Sequence, residues 1–165
     1  MPGIDACLQE AMDLPGARGA AVVDWTSGLA LGTAGESPNG DHEATAAETA
    51  ELARAAAEYP AFAPDAPGGG VAGGADDGLP ADKGSAADKR PSAEGRSGPA
   101  GSDAPDGPPV EDLILTTRTG YHILCFVETT FDSSVFLHLW LDRDTGNLAL
   151  ARLRLRQLAA RLVLA

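Results

Sequence analysis

The side chains best suited to chemistry are three histidines and two cysteines. His42, His122 and His138 lack the close spacing of a metal-binding helix. Cys7 and Cys125 stand among apolar neighbours, which is typical of reduced core thiols rather than of activated nucleophiles. The chain also lacks the Gly-x-Ser-x-Gly pattern that exposes a hydrolase serine. The sequence therefore predicts no catalytic residues and no metal site.

Two further motifs look like ligand loops and depart from them at decisive positions. The glycine-rich run 68–74 is not followed by Lys-Ser or Lys-Thr, which a phosphate-binding loop requires. The run that begins at Asp142 resembles a calcium loop, but its glycine is at the fifth position and Leu153 replaces the bidentate glutamate. We therefore expect a turn and a helix cap over residues 142–147, and no cofactor.

The charge of the chain argues against nucleic acid as a partner. Asp and Glu number 24 against 12 Lys and Arg, which gives a net charge of −12, whereas phosphate binding needs a concentrated positive field. No apolar run approaches the roughly 20 residues that span a bilayer, and the first residues lack the basic and apolar regions of a secretory signal. We expect a cytoplasmic protein without membrane insertion.

Composition changes sharply at residues 60–109, which are rich in Gly, Pro and Ala. Phe62, Val71 and Leu79 are the only larger apolar side chains there, too few to offset a backbone ordering cost of about 1–2 kcal/mol per residue. The sequence therefore predicts a disordered insertion at 60–109 that divides one domain into a first part, 1–59, and a second part, 110–165.

Hydrophobic periodicity predicts an α+β domain of three helices and five strands. The expected order is a helix (4–14), two strands (17–24 and 29–33), a helix (41–58), three strands (112–118, 121–128 and 134–142) and a helix (147–162). Residues 151–156 also alternate as a strand would, but their length and helix propensity favour the helix. Because both faces of the later strands are apolar, we expect helices on both faces of the sheet.

The helix over 41–58 carries mostly small side chains on two adjacent ridges. One ridge holds Ala46, Ala50, Ala53 and Ala57, and the next holds Thr45, Thr49, Leu52, Ala56 and Tyr59. Small side chains remove little area from water, so a helix with this face is a weak core element on its own. We therefore expect it to pack against more than its own sheet, with its alanine face covered by a second subunit instead of by its own chain.

The order of these elements resembles a roadblock/LC7 domain. The resemblance is carried by the hairpin from Ala17 to Leu31, the alanine-rich helix, the strands with Tyr121-His122-Ile123-Leu124 and Phe136-Leu137-His138-Leu139, and the run Asn147 to Arg152. It spans the chain outside the insertion, where such domains have a short loop. It implies an α-β-β-α-β-β-β-α fold whose five-stranded antiparallel sheet has helices on both faces, with two copies pairing through the second helix and the third strand.

The resemblance also implies a non-enzymatic protein, since bacterial members act with small Ras-like GTPases as regulators or scaffolds. Carried over by position, the dimer contact comprises Thr45, Ala46, Thr49, Ala50, Leu52, Ala53, Ala56, Ala57, Leu113 and Leu115. The expected partners are thus a second copy of the chain and a small GTPase.

Two alternatives stay open at this point. The basic row of the last helix, Arg152, Arg154, Arg156 and Arg161, is either a solvated face or a contact for an acidic partner. Instead of a dimer, the chain could be a monomeric profilin-like or PAS-like sensor that holds a small ligand against the sheet with His122, His138 and Trp140.

Overall fold

The computed structural model describes residues 2–63, 108–128 and 134–164. These residues form α1 (Pro2–Met12), β1 (Ala17–Asp24), β2 (Leu29–Gly35), α2 (His42–Glu58), a 3-10 turn (Pro60–Phe62), β3 (Asp112–Thr116), β4 (Gly120–Val127), β5 (Val135–Asp142) and α3 (Leu148–Leu164). Every helix and strand that periodicity predicts is therefore present, in the predicted order. Within these ranges, no helix combines the length and the apolar character needed to cross a membrane.

The five strands form one antiparallel sheet in the order β2-β1-β5-β4-β3. The two halves of the chain meet in the middle of this sheet, where β1 pairs with β5. The two edges are β2, from the first half, and β3, the first strand after the insertion. The chain segments that flank the insertion therefore build a single sheet, in agreement with the predicted fold class.

Helices cover both faces of the sheet, as the apolar strands predict. On one face α1 and α3 enclose the larger core, in which Leu8, Ile123, Leu139 and Leu155 are almost fully buried. On the other face α2 lies over a smaller core that includes Phe136. In the described part of the chain, one face thus has two helices and the other has one.

The run that resembles a calcium loop is a turn followed by a helix cap, as predicted. The Asp142 carboxylate accepts hydrogen bonds from the backbone N–H groups of Asp144 (2.9 Å) and Thr145 (3.1 Å). The Asn147 side chain then accepts one from the Leu150 N–H (3.1 Å), which caps α3. Oδ1 of Asp142 and Oδ1 of Asn147 are thus hydrogen-bonded to backbone N–H groups of the turn and the helix start.

Several element boundaries differ from the predicted ones by one or two residues, and two of these differences have a visible cause. β3 ends at Thr116 instead of continuing to 118, because the Thr117 N–H donates to the Gly120 carbonyl (2.8 Å) and the Thr117 hydroxyl accepts from the Gly120 N–H (3.0 Å). These bonds close the turn to β4. α1 ends at Met12, two residues early, and the chain turns through Gly16, which has φ of 77°. A side chain at Gly16 would collide with the backbone of Gly146, so that close approach requires glycine.

Most of the predicted insertion, residues 64–107, lies outside the described residues. Its described ends are Pro60–Phe62, in the 3-10 turn, and residues 108–109, which lead into β3. The predicted disorder of the insertion therefore stays a prediction.

Candidate protein-interaction surface

The start of α2 is fixed by a network of side-chain hydrogen bonds. Asp41 caps the helix, since its carboxylate accepts from the N–H groups of Glu43 (2.9 Å) and Ala44 (3.2 Å). In the preceding loop, Oδ1 of Asn39 accepts from the Thr45 hydroxyl at 2.8 Å and from the Asp41 N–H at 3.1 Å. These bonds tie the loop to the first turn of the helix and so set where α2 meets the sheet.

Four alanines of α2 face the sheet of their own chain, three from the alanine ridge and Ala56 from the neighbouring ridge. Ala46, Ala50 and Ala53 are at most 1% exposed, and Ala56 is 7% exposed. They pack in the smaller core, whose bulk comes from side chains on the strands, such as Phe136. The expectation that this ridge lacks cover within its own chain is wrong, because small side chains let the helix sit close enough for the sheet to cover them. Ala57 is half-buried at the border of the same core.

The neighbouring ridge of α2 borders an open cleft beside β3. The cleft has a volume of about 320 Å³, and Leu115 and Leu124 line it on the strand side. Two large apolar side chains at this cleft are exposed: Leu52 on the helix is 39% exposed and Leu115 is 48% exposed. Leu113, which precedes Leu115 by two residues in β3, packs against the smaller core instead. The structure thus brings Leu52 and Leu115 together at one surface and places the four alanines below it.

The polar groups that line this cleft are mostly bonded already. The Thr49 hydroxyl donates to the Thr45 carbonyl (2.8 Å), and the Thr45 hydroxyl donates to Asn39. His122 is hydrogen-bonded to His138 on the neighbouring strand. Few polar groups are therefore free to orient a polar ligand, and the exposed leucines favour an apolar protein surface as the occupant. Sequence reasoning missed Asn39 and His122 as cleft residues, because only the loop geometry and the strand register place them there.

Beside the cleft, β3 presents an unpaired edge. Its inner side is bonded to β4, with Leu113 opposite Leu124 and Leu115 opposite His122. Within the described residues no strand pairs with its outer side. An open edge offers a row of backbone donors and acceptors to another chain. The exposed leucines and the open edge therefore form one continuous surface, which we call the α2–β3 surface: Thr45, Thr49, Leu52, Leu113 and Leu115.

The arginines of α3 are engaged within the chain. Arg152 pairs with Asp112 at 2.8 Å and Arg156 pairs with Glu111 at 3.1 Å, both at the start of β3. Arg161 pairs with Glu10 on α1. The remaining one, Arg154, donates to the Gln157 side chain at 3.3 Å. The four side chains therefore do not form a free basic patch, and their contact with an acidic partner stays a prediction.

The three side chains proposed to hold a small ligand instead pack against one another. Nδ1 of His122 lies 3.0 Å from Nε2 of His138, and the His122 ring is nearly parallel to that of Trp140 at a centroid distance of 6.2 Å. The guanidinium of Arg18 covers the Trp140 ring at 3.9 Å. The cavity beside His138 and Trp140 measures about 10 Å³, roughly the volume of one water molecule. Within the described residues, these three side chains do not enclose a metabolite site.

Burial sets the protonation of the titratable core groups. It lowers the pKa of His138 to about 3, with a smaller contribution from the neighbouring His122, and it also lowers the pKa of His122. It raises the pKa of both thiols, Cys7 and Cys125, to about 11. Both cysteines are free and buried, as expected of core thiols. His122 and His138 are therefore neutral and both thiols are protonated at neutral pH.

In the described part of the chain, His, Cys, Asp and Glu form no group of three that could hold a metal ion.

We expect the buried His138 to make the fold sensitive to acid. Unfolded histidine binds a proton near pH 6.5, whereas folded His138 does so only near pH 3, so the unfolded chain holds more protons between these values. The free energy of unfolding should be highest above pH 6.5 and should fall, through this group, by up to about 1.4 kcal/mol per pH unit below it. Urea unfolding from pH 7.5 to 5, at one fixed protein concentration, measures the slope.

His138→Gln should reduce this slope, because glutamine does not titrate. His42→Gln is the matched control, since His42 lies at the start of α2 and is only partly buried. An equal slope in the wild type and in His138→Gln would show that another group causes the acid sensitivity.

Solved structures with similar folds cover nearly the whole chain. No protein-family model matches the sequence, and no curated protein matches it. Myxococcus xanthus MglB is similar with a TM-score of 0.62 at 17% identity, over 98% of this chain and 86% of that one. The gliding protein MglB from Thermus thermophilus has a TM-score of 0.56 at 13% identity, over 98% and 87% of the two chains. A roadblock/LC7 domain from Streptomyces avermitilis has a TM-score of 0.51 at 13% identity, over 97% and 91%. The strand order, the helices on both faces and these similarities together give the chain a roadblock/LC7 fold.

Proposed function

We propose that this chain is a non-catalytic roadblock/LC7 domain that forms a homodimer and binds a small Ras-like GTPase in the cytoplasm, as a regulator or a scaffold. The observation that carries the proposal is the α2–β3 surface. There, two exposed leucines lie beside a strand edge that has no partner within the described residues. A second copy of the chain is the occupant that we propose for it.

In a dimer with two-fold symmetry, the second copy would cover this surface in two ways. Two β3 edges that run antiparallel would pair their free backbone groups and join two five-stranded sheets into one. The same rotation would bring Leu52 of each copy toward the cleft of the other, because a two-fold interface uses the same patch on both subunits. Leucine side chains in a closed cleft would lose their contact with water, which is the main favourable term in association.

The contact comes from the second ridge of α2 and from β3. Thr49, Leu52 and Leu115 are its central residues, with Thr45 and Leu113 at its base. The buried alanines act indirectly in this proposal, since they let α2 lie low on the sheet and so shape the cleft. All the predicted interface residues thus keep a role in the proposed dimer: the residues at the cleft contact the second copy, and the buried alanines position the helix.

The GTPase partner and the absence of catalysis are taken from the resemblance to the roadblock/LC7 family. The similarity to MglB structures is a similarity of fold, and it supports the family assignment on which the partner rests. The state of the titratable groups is compatible with a non-catalytic role, because burial keeps His138 neutral and both thiols protonated at neutral pH. The ligand-sensor alternative finds less support, since the cavity that His138 and Trp140 line in the described part of the chain measures about 10 Å³.

A charged side chain at the centre of the contact should dissociate the dimer. We expect a dimer at micromolar concentration in light scattering, and a monomer for Leu52→Arg, with a dissociation constant at least about 100-fold higher, because an unpaired buried charge costs several kcal/mol. The monomeric variant should nevertheless remain folded, since Leu52 is partly exposed in the single chain.

Leu153→Arg is the matched control, because Leu153 is an exposed leucine of α3, on the opposite face of the sheet. It should leave the dimer intact. A wild-type chain that is monomeric at tens of micromolar, or a Leu52→Arg chain that dimerises as well as the wild type, would contradict the proposed dimer.

Binding to a GTPase should depend on the bound nucleotide. We expect the purified chain to bind a small Ras-like GTPase of the same organism, with affinities for the GDP form and the GTP-analogue form that differ by about tenfold or more, as a regulator must discriminate the two states. Calorimetry with each form measures both affinities, and an unrelated small GTPase serves as the control. Equal affinities would restrict the role to a scaffold, and no binding to either form at about 100 µM would refute the GTPase partner.

A further inference from the structure

Among the described residues, two titratable side chains line the cleft beside the α2–β3 surface, Glu48 of α2 and His122 of β4, and of these His122 belongs to the sheet. Its position in the sheet is fixed by cross-strand pairing with Leu115 on one side and with Trp140 on the other. Its ring is half-buried and lines the cleft between α2 and β3. Nδ1 of His122 and Nε2 of His138 share a hydrogen bond of 3.0 Å. A copy of the chain that closed the cleft would therefore also cover His122.

The groups that face His122 provide little compensation for a positive charge. From β5 the neighbour is His138, which is 4% exposed, and from β3 it is the apolar Leu115. The loop before α2 contributes Pro38 and Asn39, which are uncharged. From α2 the carboxylate of Glu48 lines the cleft, at its solvent-exposed side, and forms no ion pair with His122.

The charged groups that lie one layer further away are engaged elsewhere. Arg18 covers the Trp140 ring and pairs with Glu36 at 3.1 Å. His42 adjoins the small cavity beside His138, and its ring nitrogen lies 3.2 Å from the Gly35 carbonyl. None of these three groups lines the cleft itself.

The single chain can accept one proton at His122 without losing its internal bond. In the neutral pair one ring donates and the other accepts across the 3.0 Å contact. When His122 carries a second proton, its Nδ1–H still donates to Nε2 of the neutral His138, and the ring remains in contact with water. In a closed dimer the same cation would lose that water, which is costly for an ion without a buried counter-charge.

We propose that His122 makes the association of two copies depend on pH: neutral His122 permits the closed dimer, and protonated His122 favours the separated chains. This inference rests on the proposed dimer and adds its regulation. Burial already lowers the pKa of His122 in the single chain, and closure of the cleft would lower it further. Dissociation therefore takes up protons, so a fall in pH drives it.

The dissociation constant of the dimer at three pH values tests the proposal. Analytical ultracentrifugation at pH 7.5, 6.5 and 5.5, at constant ionic strength, should give a dissociation constant that rises at least about tenfold as the pH falls over this range. A tenfold rise corresponds to a total pKa shift of about one unit, divided between the His122 side chains of the two copies. Circular dichroism at each pH confirms that the chain stays folded. His122→Gln, which keeps a hydrogen-bonding side chain but does not titrate, should remove the dependence, and the control His42→Gln should retain it.

Each outcome separates the regulation from the dimer itself. A monomer at pH 7.5 would refute the proposed dimer, whereas a dimer with the same dissociation constant at all three pH values would refute only the role of His122. An equal pH dependence in His122→Gln would also refute that role. If His122→Gln does not fold, dilution calorimetry of the wild type at pH 6, in two buffers of different ionisation enthalpy, counts the protons taken up per dimer. Net uptake supports the proposal, and no uptake overturns it.

Discussion

The constraint on which the rest depends is that, among the described residues, a single helix covers the second face of a five-stranded sheet. Five strands spaced about 4.8 Å apart are roughly twice as wide as one helix, which is about 10–12 Å across. α1 and α3 share the first face, and α2 is the one helix of the described ranges that lies on the second. The buried alanines let α2 approach the sheet closely, but they cannot extend it over β3. Leu115 and His122 therefore lie beside the helix and not beneath it.

This margin, which the described helices leave open, coincides with an edge strand whose position is fixed from the other face. Asp112 at the start of β3 pairs with Arg152, and the adjacent Glu111 pairs with Arg156, both on α3. Exposed ion pairs contribute little to stability, but two of them at one strand end restrict where that strand lies. The chain therefore offers a partner a pre-organised edge next to an apolar cleft, which lowers the ordering cost of association.

Periodicity and turn chemistry were sufficient to predict the order of elements, because apolar spacing differs between helices and strands and Asp41 and Asn147 are typical caps. The partner of each surface was not predictable in the same way. The alanine pattern identifies the small-residue ridge of α2, but it does not say that Phe136 of the same chain would cover it. The arginines of α3 looked free because Arg152 and its partner Asp112 are 40 residues apart in sequence. Likewise, the contact between His122 and His138 exists only in the observed register of β4 and β5.

Amide hydrogen exchange along β3 tests the central claim most directly. The Thr117 N–H donates to β4, and bonding alternates along an antiparallel strand, so the N–H groups of Ile114 and Thr116 point outward from the sheet. If β3 pairs with its copy, these two amides should exchange slowly in concentrated samples and become fast on dilution below the dissociation constant. Fast exchange of both amides at every concentration, in a sample that light scattering shows to be dimeric, would contradict pairing through this edge.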